Sequence, residues 1–314
     1  MGNGPFAVPA FEAIHQTGDH EILAVWTRPV RTGKSRGGPP TSPVRDWAES
    51  RRLPNDAPES VNDVAAAGRL AAMGADLLVV CDFGQILSSE TLATTRLGGI
   101  NLHGSLLPKY RGAAPVQWAV LNGDAETGVS VLHMTPRLDG GPVLTDASTA
   151  IGRGETAGEL EQRLSVLGVE PTLRAIGMLD RWDRQSPIGR NQDSGAVTKA
   201  PRLAKSDGEI DWGRDAAEID HHVCGMQPWP GAFTFFKPKP DKPPIRLVIR
   251  RVEPTDDPVG EECCGVWDLA DGLRIAAADR WVKVLEMQPA GKKPMSGEAF
   301  MRGHQPPEGS RFYS

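Results

Sequence analysis

Asn101-Leu102-His103-Gly104-Ser105-Leu106-Leu107-Pro108-Lys109-Tyr110-Arg111-Gly112-Ala113-Ala114-Pro115 sets an amide and an imidazole two residues apart at the end of an apolar run. A loop bounded by glycine and proline follows. Strand side chains alternate, so residues two apart share one face. Asn101 and His103 are therefore expected to converge on a small volume where a strand ends. Open parallel sheets place their ligands at that end of the strands. An amide donor beside an imidazole suits a reaction whose carbonyl oxygen becomes an oxyanion. Pro115 is suited to open the next helix, because the first helical position needs no N–H.

Outward from this stretch, the first half of the chain alternates β-type runs with helical patterns. Ile22 to Trp26, Leu77 to Cys81, Ile100 to His103 and Val129 to Met134 read as buried strands. Segments 5–15, 43–51, 60–73, 115–122 and 156–182 read as helices, with Ser42-Pro43 a capped start. The alternation predicts an α/β fold: a Rossmann-like, doubly wound, mostly parallel sheet. The character then changes. Residues 1–185 are expected to form the catalytic domain, the polar stretch 186–204 a linker, and 205–314 a second domain. In the second domain, short β-type runs separated by Pro- and Gly-rich turns predict a small OB-like β-barrel, preceded by a helix near 215–224. Segment 237–244 reads as an extended hairpin connection.

The 314 residues suffice for two ordinary cores, and 39% apolar with 24% charged residues is a globular composition. No apolar run approaches the roughly 18–20 residues of a membrane helix. No secretory signal is evident, so a soluble cytoplasmic protein with no membrane association is expected. Cys81, Cys224, Cys263 and Cys264 form no CxxC pair, which argues against a disulfide framework or zinc ribbon. His221-His222 with Cys224 does not read as a metal site either, because adjacent helical residues point about 100° apart. The net charge of −5 argues against a nucleic-acid coating protein but leaves room for a local basic patch. Residues 28–38 are such a tract, with four cations and no acid.

The central stretch resembles the signature of folate-dependent formyltransferases. Asn122-Gly123-Asp124, Glu126-Thr127-Gly128-Val129 and Leu138-Asp139-Gly140-Gly141-Pro142-Val143-Leu144 continue the resemblance. Pro228-Trp229-Pro230-Gly231-Ala232 and Gly291-Lys292-Lys293-Pro294-Met295 are similar to the tail of the members that act on methionyl-tRNA. The resemblance implies transfer of a formyl group from 10-formyltetrahydrofolate to the α-amine of methionine on initiator tRNA. It implies Asn101, His103 and Asp139 as the catalytic residues, with no metal and no obligate protein partner. Ser105, Leu106, Leu107 and Pro108 would form the loop against the folate. Phe83, Gly84, Gln85 and Ile86 resemble the wall of the pterin pocket; Leu87 beside them reads as plain core. The tract 28–38 looks like the loop that meets the tRNA acceptor stem, with Arg31, Lys34 and Arg36 on phosphates. Lys205, Lys292 and Lys293 are further candidates for tRNA contacts. Arg111 has two readings, an anion ligand or a structural ion pair.

Residues 1–9 resemble the turn that follows the family's first strand, so the true start is expected upstream of Met1. Loss of three or four buried side chains from a central strand would remove on the order of 5–10 kcal/mol. It would also leave neighbouring strand edges unpaired. Two other functions share the central motif: a formyltransferase acting on an amino sugar nucleotide, and a folate- or RNA-binding relic without activity. The tRNA-like tail motifs and the polar trio weigh against them.

Overall fold

Short parallel strands and a long antiparallel hairpin build the sheet that carries Asn101 and His103. The computed structural model describes residues 1–29, 42–238, 243–260, 264–304 and 310–313. The chain divides into two compact units. The first takes in Met1–Pro115, Glu126–Ala150 and Glu161–Pro201; the second takes in Val116–Ala125, Ile151–Leu160 and the chain from Arg202 onward.

In the first unit β1 (Val25–Trp26) pairs in parallel with β2 (Asn55–Asp56), and β3 (Leu78–Val80) with β4 (Gly99–His103). A short strand β5 (Arg111–Gly112) stands apart from this sheet. Strands β6 (Glu126–His133) and β7 (Val143–Ala150) extend the β4 edge in antiparallel fashion, giving the order β3-β4-β6-β7. The sequence pattern does not anticipate β7. Strand β8 (Lys199–Ala200) pairs in parallel with β5. The expected helix 156–182 is two helices, Ala157–Leu167 and Val169–Asp180. Pro171 explains the break: it has no N–H for the carbonyl of residue 167, and its ring would collide with that carbonyl. Trp26, Leu70, Leu78, Val80, Phe83 and Leu87 form one buried cluster under the strand ends.

Met1 and Gly2 lie between β1 and β3. The Met1 amino group donates to Val79 O at 2.7 Å, Cys81 N–H donates to Met1 O at 3.0 Å, and Gly2 N–H donates to Trp26 O at 3.0 Å. A cavity of about 580 Å³ opens between the two strands, with Phe11, Ile14, Val25, Leu70 and Leu78 in its wall. Helix Val8–Thr17 is tied to helix Pro43–Ser50 by Glu12, which accepts from Trp47 Nε1 at 2.6 Å and from Arg51 Nη2 at 2.6 Å. The bond from Arg51, and then that from Trp47, hold the Glu12 carboxyl down at about 2.

The second unit is the expected OB-like barrel. Strands β9 (Phe233–Phe236), β10 (Ile245–Pro258), β11 (Trp267–Asp268), β12 (Arg274–Ala276), β13 (Arg280–Pro289) and β14 (Phe312–Tyr313) run in the order β11-β12-β13-β10-β9-β14, all pairs antiparallel. Irregularities after Ile249, Arg251 and Pro254 let the long β10 bend. Residues 239–242, in the hairpin connection expected at 237–244, lie outside the described residues. Gly265 nearly closes the barrel. Its N–H donates to Ala276 O at 2.9 Å, and its carbonyl accepts from Phe312 N–H at 2.9 Å. Phe312 stacks on Phe236 with ring centroids 4.6 Å apart.

Two outcomes test this packing. Gly265 has φ 82, and a Cβ there would collide with the Phe312 carbonyl oxygen. Gly265→Ala is therefore expected to cost about 2–4 kcal/mol, read as a lower urea midpoint. The depressed Glu12 carboxyl adds stability that is present above its unfolded pKa, about 4.5, and is lost as pH falls through about 2. Glu12→Gln should lower stability at neutral pH and flatten the pH dependence of unfolding across that window.

Candidate active site

Strand β4 presents the amide and the imidazole as its alternation requires. Asn101 pairs with Val80 on one side and Leu132 on the other, and His103 pairs with Ser130. Asn101 is half-buried; His103 is only 5% exposed. His103 Nε2 lies 2.9 Å from the carbonyl oxygen of Tyr110. A carbonyl only accepts, so Nε2 carries the hydrogen and Nδ1 is the nitrogen left facing the site. His103 Nδ1 stands 3.9 Å from Asp139 Oδ2. That gap is too long for a direct hydrogen bond.

Asp139 reaches this position from the turn between β6 and β7. Its φ is 47, a left-handed conformation unusual for a residue with a side chain. Its carboxylate Oδ2 accepts from Gly112 N–H at 2.9 Å. Tyr110 is also left-handed at φ 62, and its N–H donates to Thr198 Oγ1 at 2.8 Å. Gly112, at φ 133, runs so close to Ala200 that a side chain would strike the Ala200 carbonyl. The structure thus brings His103 and Asp139 together through a loop that residues 198–200 brace from outside. Sequence reasoning misses both Thr198 and Ala200. Their segment is polar and aperiodic, and only the pairing of β5 with β8 reveals its place.

The loop after His103 divides its residues. Ser105 is fully buried: its hydroxyl donates to Lys109 O at 2.6 Å, and its carbonyl accepts from Ser130 Oγ at 2.8 Å. Leu107 packs with Leu132 and Val143 in the core, while Leu106 and Pro108 are half-buried. The segment after β3 divides in the same way. Phe83 is 2% exposed and Leu87 is core, whereas Ile86 is 62% exposed. Gly84 is left-handed at φ 73 against the Arg28 side chain. Gln85 is engaged by the backbone, accepting from Val61 N–H at 2.8 Å. Leu138, beside Asp139, is 55% exposed. Ile86 and Leu138 are therefore apolar side chains exposed at the surface.

Arg111 donates through Nε and Nη2 to Gln192 Oε1 at 3.0 and 2.7 Å, so its described partner is an amide inside the protein. Arg31, Lys34 and Arg36 lie outside the described residues. Lys205, Lys292 and Lys293 are exposed in the second unit. In that unit burial pushes the Cys224 thiol up to about 12, with Asp220 adding to the shift, and Cys224 Sγ lies 3.8 Å from Asp220 Oδ1. No helix among the described residues is long and apolar enough to cross a membrane.

Residues 1–176 match the formyl transferase family, and residues 202–305 match the formyl transferase C-terminal domain. The methionyl-tRNA formyltransferase of Rhodopirellula baltica is 54% identical over 312 residues, covering 97% of this chain and 93% of that protein. Among solved structures, an N-formyltransferase from Helicobacter canadensis, crystallised with folinic acid and dTDP-3-aminofucose, superposes with a TM-score of 0.62 at 16% identity. That match covers 93% of this chain and 97% of the other. HypX from Aquifex aeolicus gives a TM-score of 0.58 at 15% identity, covering 90% of this chain and 49% of HypX, so this chain spans about half of HypX. At such identities the two structures share the fold. The family matches and the close relative agree along nearly the whole length, and this chain belongs to the formyl transferase family.

Proposed function

We propose that this enzyme transfers the formyl group of 10-formyltetrahydrofolate to the α-amino group of methionine on initiator methionyl-tRNA. The observation that carries this reading is the 54% identity, over 97% of the chain, to a methionyl-tRNA formyltransferase. The approach of His103 to Asp139 at the end of β4 supports the chemistry. The first unit, whose last segment runs to Pro201, would carry formyl transfer, and 205–314 would bind tRNA. The product serves translation initiation, which places the enzyme in the cytoplasm.

The amine attacks the formyl carbon, so a new C–N bond forms and charge builds on the formyl oxygen. Asn101 donates an N–H to that oxygen without changing its own charge. A donor placed there in advance is worth about 3–4 kcal/mol in the transition state. His103 holds or moves a proton at Nδ1, because Nε2 is occupied by the Tyr110 carbonyl. A proton on Nδ1 reaches the oxyanion while the carbonyl supports the imidazolium from behind. Asp139 draws the proton from the attacking amine. The bond from the formyl carbon to the folate nitrogen then breaks, and that nitrogen takes a proton. Ile86, Gly84, Leu106 and Pro108 offer an apolar wall and accessible backbone to the folate, with Phe83, Gln85, Ser105 and Leu107 behind them. Arg31, Lys34, Arg36, Lys205, Lys292 and Lys293 are assigned to tRNA phosphates.

Formylation of charged initiator tRNA is the direct test. Asn101→Ala and His103→Ala are each expected to lower kcat by about 10²–10³ with an unchanged unfolding midpoint; undiminished turnover would remove these assignments. Replacing Arg31, Lys34 and Arg36 together with Ala should raise KM for tRNA and reduce the slope of log affinity against log salt by about 2–3. An unaltered slope would return that tract to an ordinary surface loop.

A further inference from the structure

We propose that Gln192 is a positioning residue for formyl transfer, holding the two loops that carry the site in register. The inference rests on the reading of His103 and Asp139 as the catalytic pair. Gln192 Nε2 donates to the main-chain oxygens of Asp139 at 2.8 Å and Gly141 at 2.7 Å. Its Oε1 accepts from Arg111 Nε at 3.0 Å and Nη2 at 2.7 Å. The amide has two donors and two lone pairs, and all four are used. Its orientation is unambiguous, because a guanidinium only donates and a carbonyl only accepts.

What the amide connects is the reason to assign it this role. Arg111 sits between Tyr110, whose carbonyl holds His103, and Gly112, whose N–H holds Asp139. Asp139 and Gly141 belong to the turn that brings the carboxylate in, with Asp139 in a left-handed conformation. One side chain therefore grips both sides of the 3.9 Å gap between imidazole and carboxylate. It is held in place from its own segment. Arg190 exchanges main-chain hydrogen bonds with Val143 at 2.8 and 2.9 Å, and β8 pairs with β5. Residues 190–200 thus act as a strap across the site. A leucine supplies neither half of the connection, and a glutamate supplies only the half toward Arg111. With every polar valence occupied, Gln192 has nothing left for substrate, which separates positioning from contact catalysis.

The test is steady-state formylation by Gln192→Leu, the isosteric Gln192→Glu, Asp139→Asn and the Gln192→Leu, Asp139→Asn double variant, each checked by thermal unfolding. Gln192→Leu should lower kcat by about 10–100-fold, with KM for both substrates within about 3-fold of the parent. Gln192→Glu should lose as much, because a carboxylate cannot donate to the two carbonyls. In the Asp139→Asn background the Gln192→Leu change should cost less than about 3-fold. Wild-type turnover in Gln192→Glu would show that only the anchor on Arg111 matters, and would overturn the inference. So would an equal loss from Gln192→Leu with or without Asp139, the mark of a merely structural role. If Asp139→Asn itself kept full turnover, the reading of the catalytic pair would fail instead, a result separable from the first two.

Discussion

The bond between His103 Nε2 and the Tyr110 carbonyl is the constraint on which the site depends. It selects one tautomer and aims Nδ1 at the carboxylate of Asp139. To present that carbonyl, Tyr110 adopts a left-handed backbone, and Gly112 follows with a conformation open only to glycine. Such a loop does not hold itself. It is braced by Thr198 and Ala200 on one side and by the buried hydroxyls of Ser105 and Ser130 on the other. The local irregularity is concentrated where His103 and Asp139 meet.

The fold recurs in proteins of low sequence identity to this chain. The sheet and barrel superpose on an N-formyltransferase solved with an amino sugar nucleotide and on half of HypX, at 15–16% identity. A fold does not by itself fix what is bound, so function rests on the residues grafted onto it.

Much of the site was legible because it obeys the strand period. Asn101 and His103 share a face for the reason any residues two apart do, and Ser42-Pro43 caps its helix as those residue types should. Asp139 came from a motif resemblance; no periodicity placed it beside His103. The fates of Phe83 and Ile86 show the limit of reading a motif as a continuous wall. Neighbours in a loop need not share exposure, and Phe83 is core while Ile86 is open. The least legible part was the strap. Residues 190–200 have no apolar rhythm because they are held by amide and hydroxyl hydrogen bonds, and a sequence pattern carries no sign of which distant carbonyl an amide will find.

The distance along the chain between Tyr110 and Thr198 has a consequence for assembly. Their hydrogen bond joins residues 88 positions apart, so the loop after His103 is shaped by a long-range closure. Closing so long a stretch is entropically unfavourable until the strands between have paired. A half-assembled chain is therefore expected to hold its sheet before it holds this loop. Turnover, rather than secondary-structure content, is the stricter gauge of whether a molecule has finished maturing.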